Sequence, residues 1–430
     1  MHAICAIEQV CYRTEMQTAL NNSALTTRDY QAANAALRSC VHCGFCNATC
    51  PTYQLLGNEL DGPRGRIYLI KQSLEGELVT SKTLSHLDRC LTCRACETTC
   101  PSGVPYAELL EIGRSQVLSR VKRPVLDRAF RYLLRQVLPY PQRLEFLLRL
   151  SPWFKWLLPS SMKNKLNELP RPRKHQYTPA APTTSKRHMI LLGGCAQAAI
   201  RPDINAASIR VLAKLNIHAE MIYGSGCCGA LSQHMDAPTE AKQFMRRNID
   251  AWWPAIENGV DAIITSASAC SLMVKDYGRL LADDPDYSEK AAQVSAITLD
   301  LSEALAREDL NIFSGSTSSQ RVAVQSPCTA QHGQLLTQAL LNIITATGHT
   351  VINTTDKQMC CGAAGTYTVL QPELSQSLRK KRLDTLQAED PSCIVTANIG
   401  CLVHLQHAAA VPVKHWIELL DEALPCPDYT

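Results

Sequence analysis

Two short stretches of the chain carry the same cysteine pattern, C-x2-C-x2-C-x3-C-P. The eight thiols and the proline that closes each run are Cys40, Cys43, Cys46, Cys50 and Pro51, then Cys90, Cys93, Cys96, Cys100 and Pro101. This spacing is the bacterial ligand run for cubane iron–sulfur clusters, because three closely spaced thiolates can wrap one cluster on a tight loop. The pattern therefore predicts two [4Fe–4S] clusters.

The fourth cysteine of each run is expected to bind the cluster of the other run, as it does in two-cluster ferredoxins. The predicted ligand sets are Cys40, Cys43, Cys46 with Cys100, and Cys90, Cys93, Cys96 with Cys50. A disulfide framework or zinc is the alternative. Zinc needs only four tetrahedral ligands, and a crossed array of eight thiols with two matching prolines is poorly explained by it.

Length and composition limit the class of protein. The chain has 430 residues, of which 46% are hydrophobic, enough for two or three domains with their own cores. Its first residues, MHAICAIEQV, do not resemble a secretory signal, so the thiols are expected to be cytosolic and used as metal ligands, with Cys393 and Cys426 as incidental cysteines outside the motifs. No run of eighteen apolar residues occurs, and we expect no membrane-spanning helix.

A second cysteine pattern repeats in the C-terminal part of the chain. A single cysteine, a Cys-Cys-Gly triplet and a cysteine that closes a strand-like run recur in both halves: Cys195, Cys227, Cys228 and Cys270, then Cys328, Cys360, Cys361 and Cys401. Chance is a poor explanation for four matched cysteines, so the pattern indicates an internal duplication. These eight residues are candidate metal ligands, for a further iron–sulfur cluster or for zinc.

Short β-rich runs alternate with helical segments in both halves of this repeat. The four runs are Met189–Leu192, Ala262–Thr265, Val322–Gln325 and Ile394–Thr396. This alternation predicts parallel sheets, whose carboxyl ends would bring together the four thiols of each half. Around the two C-x2-C-x2-C-x3-C-P runs, the apolar residues instead recur at helical spacing. The predicted fold class is therefore multidomain, with an all-α helical ferredoxin module followed by a duplicated α/β domain.

The predicted division of the chain has five parts. They are an N-terminal tail at 1–30, the ferredoxin module at 31–120, a basic amphipathic segment with a Pro-rich linker at 121–187, and the two cysteine-rich units at 188–315 and 316–430.

The segment from Val121 to His175 is strongly basic. It holds thirteen Lys and Arg against three Asp and Glu, a local charge of +10, beside Trp153, Phe154 and Trp156. A solvated connector that packs on its own domains is one interpretation. Docking to an anionic membrane surface is the other, because basic residues with Trp, Phe and Leu favour it. No nucleic-acid motif accompanies the charge, and no nucleic-acid partner is expected.

Together these motifs resemble the electron-transfer subunits related to heterodisulfide reductase, anaerobic glycerol-3-phosphate dehydrogenase and lactate-utilisation complexes. Within that group the chain is most similar to the iron–sulfur subunits of glycolate oxidase (glycolate dehydrogenase). The likeness rests on LRSCVHCGFCNATCPTYQLLGNELDGPRGRIYLIKQ, HLDRCLTCRACETTCPSG, NIDAWWPAIENG, CCGAAGTY and VTANIGC. The chain departs from the heterodisulfide reductase pattern where a final CxxC is expected, since Met273 and His404 stand in place of the last cysteines.

The resemblance implies a complex in which flavin-binding partners oxidise glycolate to glyoxylate and this chain relays the electrons toward a quinone. We recognise no dinucleotide-binding motif, so no catalysis is expected from the chain alone. The implied location is the cytoplasm, with peripheral contact to the inner membrane. The alternatives are the corresponding subunit of a lactate or glycerol-3-phosphate dehydrogenase, a heterodisulfide-reductase-like thiol enzyme, or a zinc-stabilised scaffold.

Overall fold

The structure, a computed structural model, describes residues 16–21, 25–154, 187–313 and 319–424, with only the backbone for 151–154. The helices before residue 155 are α1 (Thr27–Ser39), α2 (Phe45–Ala48), α3 (Pro51–Leu56), α4 (Pro63–Leu74), α5 (Ser81–Asp88), α6 (Ala95–Thr99), α7 (Tyr106–Arg120), α8 (Val125–Val137) and α9 (Pro141–Phe154). A short 3-10 helix at Glu59–Asp61 precedes α4.

Local sequence explains where several of these helices begin. The side chain of Thr26 accepts a hydrogen bond from the backbone N–H of Asp29 and caps α1. Thr80 and Thr83 form a reciprocal capping box at the start of α5. Pro51 begins α3, at a position where its missing N–H costs no helical hydrogen bond. The same proline closes the first cysteine run, so the run ends where a helix starts.

Strands and helices alternate in each half of the repeat. The first half contains β1 (Arg187–Leu191), α10 (Ala196–Ile200), α11 (Pro202–Lys214), β2 (Ile217–Glu220), α12 (Ala230–His234), α13 (Pro238–Glu257), β3 (Ala262–Thr265), α14 (Ser268–Lys275), α15 (Tyr277–Leu280), α16 (Ser288–Ala296), β4 (Thr298–Asp300), α17 (Leu301–Leu305) and a 3-10 helix at Leu310–Phe313. The second contains β5 (Arg321–Gln325), α18 (Cys328–Gln331), α19 (Thr337–Ala346), β6 (Thr350–Val351), α20 (Tyr367–Leu370), α21 (Pro372–Leu386), β7 (Cys393–Thr396), α22 (Ile399–Gln406), β8 (Val413–His415) and α23 (Trp416–Glu422).

Each half forms a four-stranded sheet, with the orders β2-β1-β3-β4 and β6-β5-β7-β8. Every strand pairing is parallel, as the alternation of strands and helices predicted. The central strands β3 and β7 are buried along their whole length, because helices cover both faces of each sheet. Ile264 in β3 and Ile394 in β7 are fully buried and belong to one continuous apolar core. The two sheets therefore share a core.

The ends of the central strands join the halves directly. The backbone N–H of Ser268, just after β3, donates to the carbonyl of Ala397, just after β7, at 3.0 Å. The ring of His415 lies 2.8 Å from the carbonyl oxygen of Ser266 and is completely buried. Burial lowers the pKa of His415 to about 4, so this contact involves a neutral ring at physiological pH.

These contacts correct the predicted fold class. An all-α helical ferredoxin module standing before a duplicated α/β domain is wrong, because the described chain is a mixed α/β arrangement. Leu91, inside the second cysteine run of the helical segment, packs in one apolar group with Cys360, Tyr367 and Leu378 of the second half. Periodicity shows which elements form, but it contains no information about which elements pack together. The domain boundaries at 30, 120, 187 and 315 remain predictions.

A buried carboxylate ties the helical segment to the first half. Asp88, at the end of α5, is 9% exposed and forms ion pairs with Arg114, Arg123 and Arg131. Arg114 and Arg123 also contact Asp236, each at 2.9 Å, in the loop before α13. Burial opposes ionisation of Asp88, but the hydrogen bond from Arg123 and the arginine charges outweigh it and hold its pKa below the usual range.

We expect Asp88→Asn to lower the free energy of unfolding by about 3 kcal/mol at pH 7, because it leaves buried arginines without their partner. The contribution of Asp88 to the free energy of unfolding is fully present above about pH 3.9, the pKa of an Asp in an unfolded chain. It is lost as the pH falls through the pKa of Asp88 in the folded state, which is lower. Anaerobic denaturant unfolding of the loaded chain measures both effects. Asp127→Asn is the control; its carboxylate is 33% exposed, and its loss should cost at most about 1 kcal/mol. Equal losses from both variants would contradict this account of Asp88.

Candidate iron–sulfur sites

The thiols of the two runs line two neighbouring cavities. The outer thiol site is lined by one group of four, Cys40, Cys43, Cys46 and Cys100. The inner thiol site is lined by the other, Cys50, Cys90, Cys93 and Cys96. Cys96 and Tyr106 reach both cavities. The structure thus brings together the residues of each crossed set, and their roles as ligands remain a prediction.

Left-handed backbone turns shape both cysteine loops. In the first run, His42 and Gly44 have φ values of +53° and +82°; in the second, Thr92 and Arg94 have +52° and +60°. Such values are uncommon for residues other than glycine. A Cβ at Gly44 would lie 2.6 Å from the guanidinium of Arg64. The matching turns let successive thiols of each run point into one cavity.

The two sites differ in their exposure to solvent. Cys43 is exposed, and the neighbouring side chains of Val41 and Phe45 are 42% and 61% exposed. In the inner site, Cys93 packs with Cys328 of the second half. Burial, the largest effect, raises the pKa of Cys93, as does the nearby charge of Cys328. One site therefore faces the surface and the other faces the duplicated half.

A buried arginine borders the inner thiol site. Arg66 is 1% exposed and donates to Thr52 Oγ1 at 3.1 Å, and Thr52 Oγ1 lies 3.3 Å from Cys50 Sγ. The guanidinium also lies 3.8 Å from the carboxylate of Asp61, which is equally buried. The Arg66 guanidinium is thus paired with Asp61 and linked to Cys50 through the hydroxyl of Thr52.

The duplicated thiols also gather into two groups. The first-half site consists of Cys195, Cys227, Cys228 and Cys270, and the second-half site of Cys328, Cys360, Cys361 and Cys401. Within them, Cys228 Sγ lies 3.4 Å from Cys270 Sγ, and Cys361 Sγ lies 3.1 Å from Cys401 Sγ. Thiol hydrogen bonds connect Cys195 with Cys227 and Cys328 with Cys360. Each half therefore holds four contiguous thiols.

Parallel strands position these thiols. Cys195 and Cys270 follow β1 and β3, and Cys328 and Cys401 follow β5 and β7. The carboxyl ends of neighbouring parallel strands meet at one edge of a sheet, which is where ligands bind in such folds. The Cys-Cys-Gly loops supply the remaining two thiols of each site. Whether either group binds metal remains a prediction.

The glycine of each triplet is required by close packing. Gly229 has φ +90°, and a Cβ there would lie 3.0 Å from the carbonyl oxygen of Ala241. Gly362 has φ +87°, and its Cβ would lie 2.6 Å from the carbonyl oxygen of Ser375. Each Cys-Cys pair is therefore pressed against the start of a long helix. This fixes two adjacent thiols toward the site and fits a group with more than one metal atom.

The protonation chemistry argues against a nucleophilic thiol. A hydrogen bond with Cys227, followed by burial, raises the pKa of Cys195 well above that of a free thiol. Burial raises the pKa of Cys46 to about 11. A thiol with a raised pKa is a poor nucleophile, because the thiolate is the reactive form. Metal cations favour deprotonated thiols, so these donor sets fit a metal-bound group better than they fit a thiol enzyme.

Two histidines of the second half, His404 and His332, have partners other than the thiols. His404 Nε2 lies 3.2 Å from Ser375 Oγ, and Ser375 Oγ donates to the carbonyl of Gly362. His404 therefore supports the backbone beneath the second-half site. The matching Met273 is a core residue of the first half. His332 Nδ1 lies 2.8 Å from Thr98 Oγ1 and links the second half to α6.

Sequence analysis missed two kinds of feature. The first is a pair of buried arginines, Arg66 and Arg382. Each lies four residues before a core residue of its own helix, Ile70 or Leu386, and this spacing on one helical face could have predicted their burial. It also overlooked that Gly224, Gly226 and Gly229 have the spacing G-x-G-x-x-G after β2. The helix that follows, α12, spans only Ala230–His234, and cysteines occupy the loop.

Family models match both parts of the chain. The model described as a 4Fe-4S dicluster domain matches residues 36–104, and the one described as a cysteine-rich domain matches 190–275 and 322–406. These matches confirm the predicted iron–sulfur cofactors of the protein.

Two of the relatives extend over most of the chain. The chain is 46% identical to the glycolate oxidase iron-sulfur subunit of Escherichia coli over 95% of its own length and 99% of that protein. It is 29% identical to the probable glycolate oxidase iron-sulfur subunit of Bacillus subtilis, over 86% of its length and 88% of the relative. Lactate utilization protein A of Shouchella clausii is 21% identical over 51% of this chain and 92% of the relative.

The crossed arrangement predicts which cysteine changes will have the same effect. Cys100→Ser and Cys43→Ser should abolish the same cluster signal in electron paramagnetic resonance spectra, and Cys50→Ser and Cys93→Ser the other. Iron should fall from at least about eight atoms per chain by about four. Cys393→Ser is the control, because this buried cysteine lies in β7 and lines neither site. If Cys100→Ser abolished the signal that Cys93→Ser abolishes, the ligands would not be crossed.

Proposed function

This chain belongs to the family of glycolate oxidase iron-sulfur subunits, and on that basis we propose that it relays electrons from glycolate oxidation. Flavin-binding partner subunits oxidise glycolate to glyoxylate, and this chain carries the electrons toward a quinone. The observation that carries the proposal is the continuous series of thiol sites from the surface to the second half. Bound iron–sulfur clusters exchange single electrons, whereas a reduced flavin offers a pair.

The residues between the sites define a short route. Cys96 and Tyr106 border both the outer and inner thiol sites. The next electron transfer runs from the inner thiol site at Cys93 to the second-half site at Cys328, because these two cysteines pack in the same apolar cluster. Tyr367 OH donates to the carbonyl of Arg89 at 3.0 Å and holds the second half against the start of the second cysteine run. We assign the exposed loop around Cys43 as the point where electrons enter or leave the chain.

The relay is tested with the assembled complex under anaerobic conditions. Glycolate should reduce both the flavin and the iron–sulfur signals of the wild-type complex. Changing Cys360 and Cys361 to Ser should leave flavin reduction intact and abolish quinone reduction, because these residues line the site next to Cys93. The matched control changes Cys227 and Cys228 to Ser in the first half and should preserve more quinone reduction.

The isolated chain provides the second part of this test. Free of its partners, it should accept electrons from a strong reductant and show no glycolate-dependent dye reduction. Glycolate turnover by the isolated, flavin-free chain would show that the catalytic site is in this chain and would overturn the relay.

We further propose that helix α8 docks on the anionic inner surface of the cytoplasmic membrane. Its apolar side chains Val125, Leu126, Tyr132 and Leu133 are 76%, 85%, 57% and 57% exposed. The side chain that this helix buries is polar instead, since Arg131 faces inward and contacts Asp88. An exposed apolar helix face of this kind suits the interface of a bilayer.

Charge supports an anionic partner surface. Lys122 and Arg128 are exposed beside this face and can approach lipid phosphates. Arg123 and Arg135 are engaged with Asp236 and Glu240, and Arg143 donates to the carbonyl of Gln136. Only part of the predicted basic charge is therefore available. Among the described helices, none is both long and apolar enough to cross a membrane. Lys155, Trp156 and the Pro-rich stretch 170–182 lie outside the described residues, as do the side chains of Trp153 and Phe154.

Co-sedimentation with vesicles of anionic phospholipid tests the docking. Leu126→Gln should weaken binding about tenfold, because removing one buried leucine from the interface costs roughly 1.5 kcal/mol. Binding should also weaken as salt rises, since screening shortens with ionic strength. Leu78→Gln is the matched control, because Leu78 is 97% exposed and lies in the loop before α5. Unchanged binding of Leu126→Gln would make α8 a contact for another partner.

A further inference from the structure

Arg382 is a buried cation beside the second-half site. It lies on α21 and is 1% exposed. Its guanidinium donates to Gln325 Oε1, at the end of β5, and to the backbone carbonyls of Thr355 and Asp356 at 3.3 and 3.0 Å. It therefore bridges the strand that leads to Cys328 and the loop that leads to Cys360.

All the hydrogen-bond acceptors of Arg382 are neutral. The remaining one is Thr385 Oγ1, at 3.2 Å. Within the described parts of the chain, no carboxylate forms an ion pair with this guanidinium, whereas the equally buried Arg66 lies 3.8 Å from Asp61. A buried charge without a counter-charge is strongly unfavourable. The arrangement therefore calls for a negative group close by.

The thiols of the second-half site supply that negative group. Burial lowers the pKa of Arg382 to about 10, while the charges of Cys361, of the exposed Asp356 carboxylate, and of Cys360 and Cys401 act in the opposite direction. The guanidinium is therefore protonated at neutral pH. Asp356 is exposed and forms no ion pair with it, so the three thiols are its buried anionic partners once they are deprotonated. A negatively charged metal–thiolate group would balance its charge.

The first half offers a neutral residue at the matching position. Pro238 begins α13 and Pro372 begins α21, and Asn248 and Arg382 stand equally far beyond these prolines. The register is supported by the triplet glycines, which pack against Ala241 and Ser375, again equally far from the two prolines.

Asn248 binds the backbone of its own triplet loop. It is completely buried, its Nδ2 donates to the carbonyl of Cys227 at 2.9 Å, and its Oδ1 accepts from the N–H of Gly226. The neighbouring Arg247 is half-buried and its guanidinium lies 5.1 Å from the ring centre of Phe244. The first half therefore has no fully buried cation at the position that Arg382 occupies in the second.

We propose that Arg382 raises the reduction potential of the group bound at the second-half site and so directs electrons to that half. The proposal rests on the proposed relay. One electron leaves the inner thiol site and one arrives at the second-half site, whose charge becomes more negative by one unit. The fixed positive charge of Arg382 offsets that change without a proton, and net charge is one of the factors that set the potential of an iron–sulfur group. Arg382 thus acts through its charge on the group bound at the second-half site and is not a ligand of that group.

Redox titration of the full complex, followed by electron paramagnetic resonance, tests this assignment. Arg382→Asn, which copies the first half, should lower the midpoint potential of the second-half signal and leave the signals of the outer and inner sites unchanged. Arg382→Lys retains the charge and should keep a potential close to that of the wild type. Lys380→Asn is the control, because it removes an exposed charge from the same helix.

Three results would overturn the role of Arg382. They are an unshifted potential in Arg382→Asn, loss of the second-half signal in Arg382→Lys as well as in Arg382→Asn, and zinc in place of a redox-active group in the wild type. Loss of the signal in Arg382→Asn alone would support a requirement for the charge. Glycolate-dependent reduction of the outer and inner sites should persist in every variant. Its absence from the wild-type complex would contradict the relay itself, separately from the role of Arg382.

Discussion

The structure depends on gathering thiols from distant parts of the chain into small buried groups. Each site contains four thiols, and these come from at least two segments of the chain because no single loop supplies all four. Cys100 joins the loop of Cys40, and Cys50 joins the loop of Cys90. Each crossing fixes one cysteine run against the other, and the helices that carry them must pack accordingly. The same requirement at the sheets brings the Cys-Cys-Gly loops to the strand ends.

Packing between the parts of the chain follows from where the sites lie. The inner thiol site abuts Cys328 and Tyr367, so the helical segment cannot separate from the second half without exposing it. On the other side, the ion pairs of Asp88 and Asp236 join the helical segment to the first half. Apolar contact thus secures one junction and buried charge the other. The sites are held in a fixed relation because both junctions are anchored.

Sequence alone predicted the chemistry of this protein better than its architecture. The cysteine spacing identified the thiol groups, and the strand-like runs before Cys270 and Cys401 correctly indicated parallel strands. It could not show that Leu91 packs with Cys360, since contacts between segments leave no periodic signal. Nor did it distinguish Arg382 from Lys380 and other basic neighbours. The i, i+4 spacing of Arg382 and Leu386 was the available signal, and the placed helix shows that this side chain faces the interior.

The junction between the two sheets has an evolutionary consequence. Ser268 binds Ala397, and His415 binds Ser266, so the two halves pack directly against each other within one chain. In a dimer of identical chains, every substitution appears at both symmetric positions and the sites stay alike. Because both halves here belong to one polypeptide, Asn248 and Arg382 mutate independently. Fusion of the duplicated units therefore permits one member of the pair to specialise while the other retains its ancestral role.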